Sequence, residues 1–286
     1  MSAALGYGAV VITGSSTGIG RTCALRLDRA GFRVFAGVRK DADGESLRAE
    51  CSQRLEPLIC DVVDAATIRA AAERVREATD GRLAGLVNNA GVAVPGPVEA
   101  IDLDALRRQF EVNVVGQVAV TQAFLPMLRA ARGRVVFMSS IGARRGLPYL
   151  STYNASKAAI GIVGDSLRQE MRPFGVGVSV IEPGAISTPM WGKGQAEAPD
   201  IIAAMEPALR ELYGERLERM QGLSAKTESR GQAPDAVAAA VEHALTDSKP
   251  KPRYVVGLDA KVQGLAGSLL PDRALDRVIE REIDRS

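Results

Sequence analysis

The chain has 286 residues, of which 46% are hydrophobic and 24% charged, a composition that supports one large apolar core. Its 36 basic and 34 acidic residues leave a net charge of +2, which gives no reason to expect a nucleic-acid partner. One histidine and three cysteines without paired spacing argue against a metal site. We find no signal-peptide pattern and no stretch approaching the roughly 18 apolar residues of a spanning helix, so we expect a cytoplasmic protein without an integral membrane segment.

Short apolar runs rich in β-formers alternate with helical patterns along the chain. The predicted strands are Ala9–Thr13, Arg33–Val38, Pro57–Asp61, Gly85–Asn89, Arg134–Ser140, Gly177–Ile181 and Arg253–Gly257. Between the first six we predict helices at Ile19–Ala30, Ser46–Gln53, Ala65–Thr79, Leu103–Ala131 and Thr152–Phe174. This alternation indicates a parallel sheet with helices on both faces. We therefore expect a single α/β domain, a doubly wound Rossmann-type fold with a seven-stranded parallel sheet, whose ligands bind beyond the carboxyl ends of the strands.

Two regions lie outside the alternation. In Ser187–Gln232 apolar residues recur at roughly helical spacing, interrupted by Pro207. A long excursion after a late strand is where a substrate lid would lie, and the alternative is a helical insertion that only caps the core. The tail Lys261–Ser286 is amphipathic, and we expect it to pack on its own domain or on a second subunit rather than on a membrane.

The first predicted strand runs directly into a glycine-rich turn that opens a helix. Glycines let the backbone approach a pyrophosphate closely, and a helix N-terminus offers free N–H groups. The turn residues predicted to bind a dinucleotide are Gly14, Ser16, Thr17, Gly18, Ile19 and Gly20. The three residues between the first two glycines differ from the G-x-G-x-x-G fingerprint, so a purely structural turn is the alternative.

The end of the second strand decides which nicotinamide cofactor is preferred. An acidic residue there would bind the ribose 2′-hydroxyl of NAD and repel a 2′-phosphate. The chain has Arg39 and Lys40 instead, and a guanidinium at Arg39 can form a bidentate pair with a 2′-phosphate. This favours NADP and leaves NAD possible; a solvated basic pair is the alternative.

Tyr153 and Lys157 lie four residues apart at the start of a predicted helix. Residues at this spacing share one helix face, with β-carbons about 5–6 Å apart. At an effective dielectric of about 20, an ammonium about 5 Å away favours the phenolate by roughly 3 kcal/mol, on the order of two pKa units. With the further positive charge of oxidised nicotinamide, we predict that Tyr153 becomes an acid/base near neutral pH. A tyrosine and a lysine four residues apart are a common coincidence in sequences. The neighbouring motifs therefore decide whether this pair is catalytic.

Those surroundings carry a complete motif set, and the chain resembles the short-chain dehydrogenase/reductase family over almost its entire length. The motifs are T-G-x-x-x-G-x-G at Thr13–Gly20, Asp61, N-N-A-G at Asn88–Gly91, Asn113, Ser140, Tyr153 with Lys157, and Pro183-Gly184 followed by Thr188. The resemblance implies a hydride-transferring enzyme that uses a nicotinamide cofactor. A homodimer or homotetramer is usual in this family.

The resemblance also implies roles for single residues. Tyr153 would be the general acid/base, and Lys157 would lower its pKa and bind the nicotinamide ribose. Ser140 would orient the substrate oxygen, with Ser139 as the alternative. Asn113 would hold a water that links Lys157 to solvent. Asp61 and Val62 would contact the adenine and Asn89 the adenine ribose side, and the other implied cofactor contacts are Ala90, Gly91, Pro183, Gly184, Ile186 and Thr188.

Within the family, Val34–Arg39 and Arg253–Lys261 are similar to the retinol dehydrogenase and 17β-hydroxysteroid dehydrogenase branch. This similarity implies a lipophilic alcohol or the matching carbonyl as substrate. The residues predicted to line the substrate pocket are Met190, Trp191, Ile201, Ile202 and Met205, because apolar walls suit such a ligand. Plain packing of the lid is the alternative for these side chains. A non-catalytic NADP-binding regulatory protein on the same fold is the alternative function.

Overall fold

The computed structural model describes residues 8–188, 203, 205–229 and 231–284. The strands are β1 Ala9–Ile12, β2 Arg33–Val38, β3 Leu55–Ile59, β4 Gly85–Asn88, β5 Arg134–Met138, β6 Gly177–Pro183 and β7 Arg253–Val256. Within this part of the chain they form one seven-stranded parallel sheet in the order β3-β2-β1-β4-β5-β6-β7. Chain order reverses direction across the sheet between β1 and β4, which confirms the predicted doubly wound fold and defines its ligand-binding edge.

Helices cover both faces of this sheet, as predicted. They are α1 Gly18–Arg29, α2 Asp41–Arg48, α3 Ala65–Ala78, α4 Leu103–Phe110, α5 Gly116–Ala131, α6 Ser151–Met171, α7 Pro207–Ser229, α8 Pro234–Thr246, α9 Leu258–Leu269 and α10 Asp272–Asp284. A π-helical turn, Glu111–Val115, joins α4 to α5, and a short 3-10 turn, Ile141–Arg144, follows β5.

The apolar core has two halves because successive strand side chains point to opposite faces. Val10 and Ile12 of β1 pack with side chains of α1 and α8 in one cluster. Val11, between them, packs in the other cluster with α3, α5 and α6. The continuous apolar strands therefore bury both of their faces, and their carboxyl ends are left to build a site.

Local details differ from the prediction. The second helix spans Asp41–Arg48 rather than Ser46–Gln53, and Asp41 and Asp43 in its first turn suit the positive end of the helix dipole. Pro207 begins α7, since a proline is favoured at the first helical position. The predicted helix Leu103–Ala131 is divided by the π-helical turn.

The same segment, Leu103–Ala131, is long and apolar enough by length and composition to cross a membrane, contrary to the expectation from the sequence. Its C-terminal part, α5, places Val120, Phe124 and Leu128 in the core cluster beneath the sheet, where all three are fully buried. A core helix that covers a sheet passes the same test of length and composition. Packing within the domain therefore accounts for these three apolar side chains.

Candidate active site

The turn after β1 is held by residues that follow β4. The Asn89 side-chain amide donates to the carbonyl oxygens of Thr13 (3.0 Å) and Gly14 (3.1 Å). In return the Thr13 hydroxyl accepts from the backbone N–H groups of Asn89 (3.0 Å) and Ala90 (3.1 Å). The described contacts of Asn89 therefore fix the shape of the turn. Thr13 was not predicted as a site residue, although it opens the glycine motif.

The glycines of this turn are required by its geometry. Gly14 and Gly18 have φ of +68° and +56°, in the left-handed region that favours glycine. A β-carbon on Gly20 would lie 2.2 Å from the Gly14 carbonyl oxygen, so the backbone approaches itself here. Thr17, the residue before α1, makes no side-chain cap, which leaves the N–H groups at the start of that helix for another acceptor. The turn therefore fits the pyrophosphate of a dinucleotide.

Arg39, the residue predicted to set the cofactor preference, lies where the sequence places it. Arg39 follows the last residue of β2 and its side chain is exposed. Nothing in the described parts of the chain forms an ion pair or a hydrogen bond with its guanidinium. Asp61 and Val62 follow β3 on the same edge of the sheet; Val62 is buried, and one Asp61 carboxylate oxygen accepts from the N–H of Val63 (3.2 Å).

Three predicted catalytic residues meet at the end of β5. Tyr153 lies in the first turn of α6, and its hydroxyl forms a hydrogen bond with the Ser140 hydroxyl. The Lys157 Nζ is 5.8 Å from the centre of the Tyr153 ring. Tyr153 is 6% exposed and Lys157 2%, so both groups are shielded from water. The structure thus brings the phenol, the hydroxyl and the ammonium together in one buried site.

The neighbouring serine has a different partner. The Ser139 hydroxyl donates to the backbone carbonyl of Lys157 (2.8 Å), and the Lys157 Nζ donates to the carbonyl of Met138 (2.9 Å). These two bonds tie the end of β5 to α6. Of the two adjacent serines, Ser140 contacts Tyr153 and Ser139 holds the helix that carries it.

Asn113 lies in the π-helical turn, a geometry often found at functional sites. Its side-chain oxygen accepts from the N–H of Val92 (2.8 Å), and its amide nitrogen donates to the Val92 carbonyl (2.9 Å) and to the Ser156 hydroxyl (2.9 Å). A β-carbon on Gly91 would lie 3.3 Å from both the Asn113 side-chain oxygen and the Lys157 Nζ. Asn113 is therefore next to Lys157, with both of its amide protons bound by the protein.

Burial changes the acidity of both ionisable groups. It raises the pKa of the Tyr153 phenol to about 12, while the hydrogen bond from Ser140 acts in the opposite direction. Burial also lowers the pKa of the Lys157 ammonium to about 8. The sequence predicted that Lys157 would bring the pKa of Tyr153 towards neutrality. In the protein alone the loss of hydration of the phenolate instead raises this pKa, and the opposing effect comes from Ser140.

The buried lysine should make stability depend on pH. Above about pH 8 the folded protein has released a proton that the unfolded chain holds up to its ordinary pKa of 10.5, so this group raises the free energy of unfolding with pH in this window. The thiols of Cys23 and Cys60, whose pKa values burial raises to about 12 and about 11, act in the opposite direction in the upper part of the window. Between about pH 7 and pH 9.5 we therefore expect the free energy of unfolding to rise by about 2 kcal/mol more in the wild type than in Lys157→Met. Urea denaturation of cofactor-free protein measures it. The Lys157→Met variant lacks this gain, and identical pH dependence in the two proteins would contradict the assignment.

The segment after β6 is pinned by the start of α9. The N–H of Ala185 donates to a carboxylate oxygen of Asp259 (2.7 Å), and a β-carbon on Gly184 would lie 2.3 Å from the same oxygen. Asp259 was not predicted, and the sequence carries no local signal for this contact across 74 residues. The predicted residues of the segment are Pro183, Gly184, Ile186 and Thr188. Ile186 and Thr188 are buried.

The predicted lid is described only in part. Met190 and Trp191 lie outside the described residues, as do Ile201 and Ile202. The Tyr213 hydroxyl on α7 donates to Glu99 (2.7 Å), which joins this helix to the loop after β4. Helices α7 and α10 and the loop before α6 line a cavity of about 520 Å³.

Among the residues described here, no group of three or more His, Cys, Asp or Glu side chains is placed to hold a metal ion.

Comparison with known proteins gives one consistent result. A family model described as short chain dehydrogenase matches residues 8–198, more than half of the chain. Retinol dehydrogenase 5 of Mus musculus is 37% identical over 282 residues, covering 94% of this chain and 87% of the relative. The 17-beta-hydroxysteroid dehydrogenase type 6 of Bos taurus is 36% identical, with coverage of 95% and 87%. The NADPH-dependent 3-dehydrocapnine reductase of Ornithobacterium rhinotracheale is 33% identical, with coverage of 96% and 97%.

Solved structures agree with this result. A short-chain dehydrogenase from Streptomyces avermitilis superimposes with a TM-score of 0.77 at 29% identity, covering 100% of this chain and 99% of that one. A short chain dehydrogenase from Burkholderia cenocepacia J2315 in complex with NADP gives a TM-score of 0.72 at 27% identity, with coverage of 96% and 97%. Fold and sequence similarity therefore extend over the same length of chain.

Proposed function

The chain belongs to the short-chain dehydrogenase family, in the branch of the retinol and 17β-hydroxysteroid dehydrogenases, and we propose that it transfers a hydride between NADP and a lipophilic alcohol or ketone with Tyr153 as general acid/base. One observation carries the proposal. The Tyr153 and Ser140 hydroxyls are hydrogen-bonded in a buried site, with the Lys157 ammonium beside them. A hydroxyl pair of this kind can hold one substrate oxygen from two sides.

When bound, the nicotinamide supplies or accepts the hydride, and the protein manages one proton. In reduction the Tyr153 phenol gives its proton to the substrate oxygen, and in oxidation the phenolate removes the hydroxyl proton. Ser140 polarises the same oxygen through its hydroxyl. With a pKa of about 12, Tyr153 is protonated at neutral pH, the form that reduction requires. The ammonium of Lys157 stabilises the phenolate that remains after proton transfer.

The preference for NADP rests on Arg39, whose exposed guanidinium has no acidic partner in the described structure. We expect Arg39→Asp to lower kcat/KM with NADPH by about tenfold or more, since a charged hydrogen bond contributes about 1.5–3 kcal/mol. The same change should improve NADH relative to NADPH, because a carboxylate accepts from a ribose hydroxyl. Steady-state kinetics with both cofactors measure the ratio. An unchanged ratio would remove the assignment.

The substrate class follows the relatives, whose names include a retinol dehydrogenase, a steroid dehydrogenase and a reductase of 3-dehydrocapnine. A screen of steroid, retinoid and long-chain alcohols and ketones with both cofactors, followed by the absorbance of reduced nicotinamide, tests it. Turnover that increases with the apolar size of the ketone supports the proposal. Binding of NADPH without turnover of any of these compounds would instead favour a regulatory protein.

We further propose a cytoplasmic homo-oligomer. Val115 in the π-helical turn and Ile162 on α6 are 51% and 64% exposed, and apolar surface of this kind suits burial against a second copy. Cell fractionation tests the location, and light scattering of the purified protein tests the assembly. A monomeric mass at micromolar concentration would contradict the oligomer.

A further inference from the structure

A fully buried carboxylate lies at the end of β6 and is bound by two arginines. Glu182 is 0% exposed. One of its oxygens accepts from Arg144 through Nε (2.8 Å) and Nη2 (2.6 Å), and the other is bound by Arg253. Removing charges from water costs about as much as their pairing returns, so a buried ion pair contributes little net stability. Such a pair does fix the positions of the groups that form it, here the Glu182 carboxylate and the two arginines.

That geometry joins three parts of the active site. Arg144 ends the 3-10 turn that begins after Ser140, and the Ser140 hydroxyl accepts from the Gly142 N–H (3.2 Å) within this turn. Arg253 also binds Asp165 on α6, the helix that carries Tyr153 and Lys157. Glu182 itself leads directly into the Pro183–Thr188 segment. The serine turn, the tyrosine helix and the segment after β6 therefore share one ionic network.

Helix α9 also lies close to Arg144. A β-carbon added to Gly264 of α9 would lie 3.2 Å from Nη1 of Arg144 and 3.5 Å from the Ile141 side chain. Helix α9 thus packs closely against the serine turn. The partly exposed guanidinium of Arg144 therefore lies between this helix and the buried carboxylate.

We propose that Glu182 and Arg144 are positioning residues, which set the Ser140 hydroxyl against the Tyr153 phenol and fix the start of the Pro183–Thr188 segment. The inference rests on the proposed function and adds to it two residues that touch no reacting atom. A displacement of about 1 Å in a catalytic group can cost up to about a hundredfold in rate. The network acts on kcat rather than on substrate binding.

The test variant is Arg144→Met, which removes both bonds to Glu182 while Arg253 still neutralises the carboxylate. Arg144 is 39% exposed, so methionine can occupy its path without opening a large cavity. We expect kcat to fall about 10- to 100-fold with a nearly unchanged KM. The primary isotope effect with deuterated reduced cofactor should increase, because hydride transfer becomes slower relative to other steps. Arg144→Lys should recover part of the rate.

A second readout needs no substrate. In cofactor-free Arg144→Met, amide hydrogen exchange should become faster in peptides that cover Ser140–Arg144 and Pro183–Thr188, and stay unchanged in β1. The control is Arg74→Met, which removes a two-bond pair with Glu56 (2.8 and 3.0 Å) beside the opposite edge strand, β3. This control should keep kcat within about twofold, since exposed pairs contribute little.

The outcomes separate the two proposals. If the wild-type protein turns over no alcohol or ketone, the proposed function fails, and hydrogen exchange still decides whether the network orders the turn. If the wild-type protein is active and Arg144→Met behaves like Arg74→Met in kcat, isotope effect and exchange, the positioning role is overturned. A loss of kcat that matches a loss of folded protein, with an unchanged isotope effect, overturns it as well.

Discussion

The Tyr153→Phe variant is expected to lower kcat by about 10²- to 10⁴-fold, the range that a positioned acid/base contributes. The ring stays buried and keeps its packing, so only the hydroxyl that meets Ser140 is lost. The affinity for NADPH should therefore change by less than about threefold, a difference of under 1 kcal/mol. Steady-state turnover with a lipophilic ketone and a fluorescence titration with NADPH measure the two quantities.

The matched control is Tyr254→Phe on β7. Tyr254 is also buried, and its hydroxyl contacts His243 (3.0 Å) and accepts from the N–H of Lys251 (3.0 Å), away from the carboxyl edge of the sheet. Loss of that hydroxyl should cost about 1 kcal/mol of stability and leave kcat unchanged. A Tyr153→Phe enzyme that kept more than about a tenth of the wild-type kcat would refute the acid/base role.

The Gly20→Ala variant should bind NADPH about a hundredfold more weakly. The added β-carbon would lie 2.2 Å from the Gly14 carbonyl oxygen and 2.4 Å from the Asn89 side-chain nitrogen. The Gly14 oxygen belongs to the backbone, and the Asn89 side chain holds the turn in shape. Neither atom can move away without opening the turn. Overpacking of this kind costs up to about 3 kcal/mol, and each 1.4 kcal/mol is about tenfold in affinity. Isothermal titration measures the loss.

The matched control for this variant is Gly222→Ala on α7, where an added β-carbon meets no described atom within 4 Å. Alanine in a helix interior is favoured by about 1 kcal/mol over glycine, so this variant should be at least as stable as the wild type and bind NADPH equally well. If Gly20→Ala kept wild-type affinity for NADPH, the turn after β1 would not be the pyrophosphate site.

Much of the site could be predicted because its signals are local. Tyr153 and Lys157 share a helix face through their spacing alone, and the glycines of the Thr13–Gly20 turn follow a strand directly. Runs such as Val34–Val38 are apolar throughout, which is how a strand buried on both faces reads. Errors also arose locally: the second helix was predicted at Ser46–Gln53 and lies at Asp41–Arg48, and no pattern showed the π-helical turn around Asn113.

By itself, then, the sequence determined the doubly wound sheet, the order of its elements and the residue types at its carboxyl edge, because periodicity and motif spacing act over one or two turns of chain. Only the tertiary structure decided between Ser139 and Ser140, showed that burial raises the pKa of Tyr153, and joined Glu182 to Arg144 and Arg253. Those outcomes depend on burial and on contacts between residues 18, 38 and 71 positions apart. Such contacts exist only once the strands are side by side, so no local pattern can encode them.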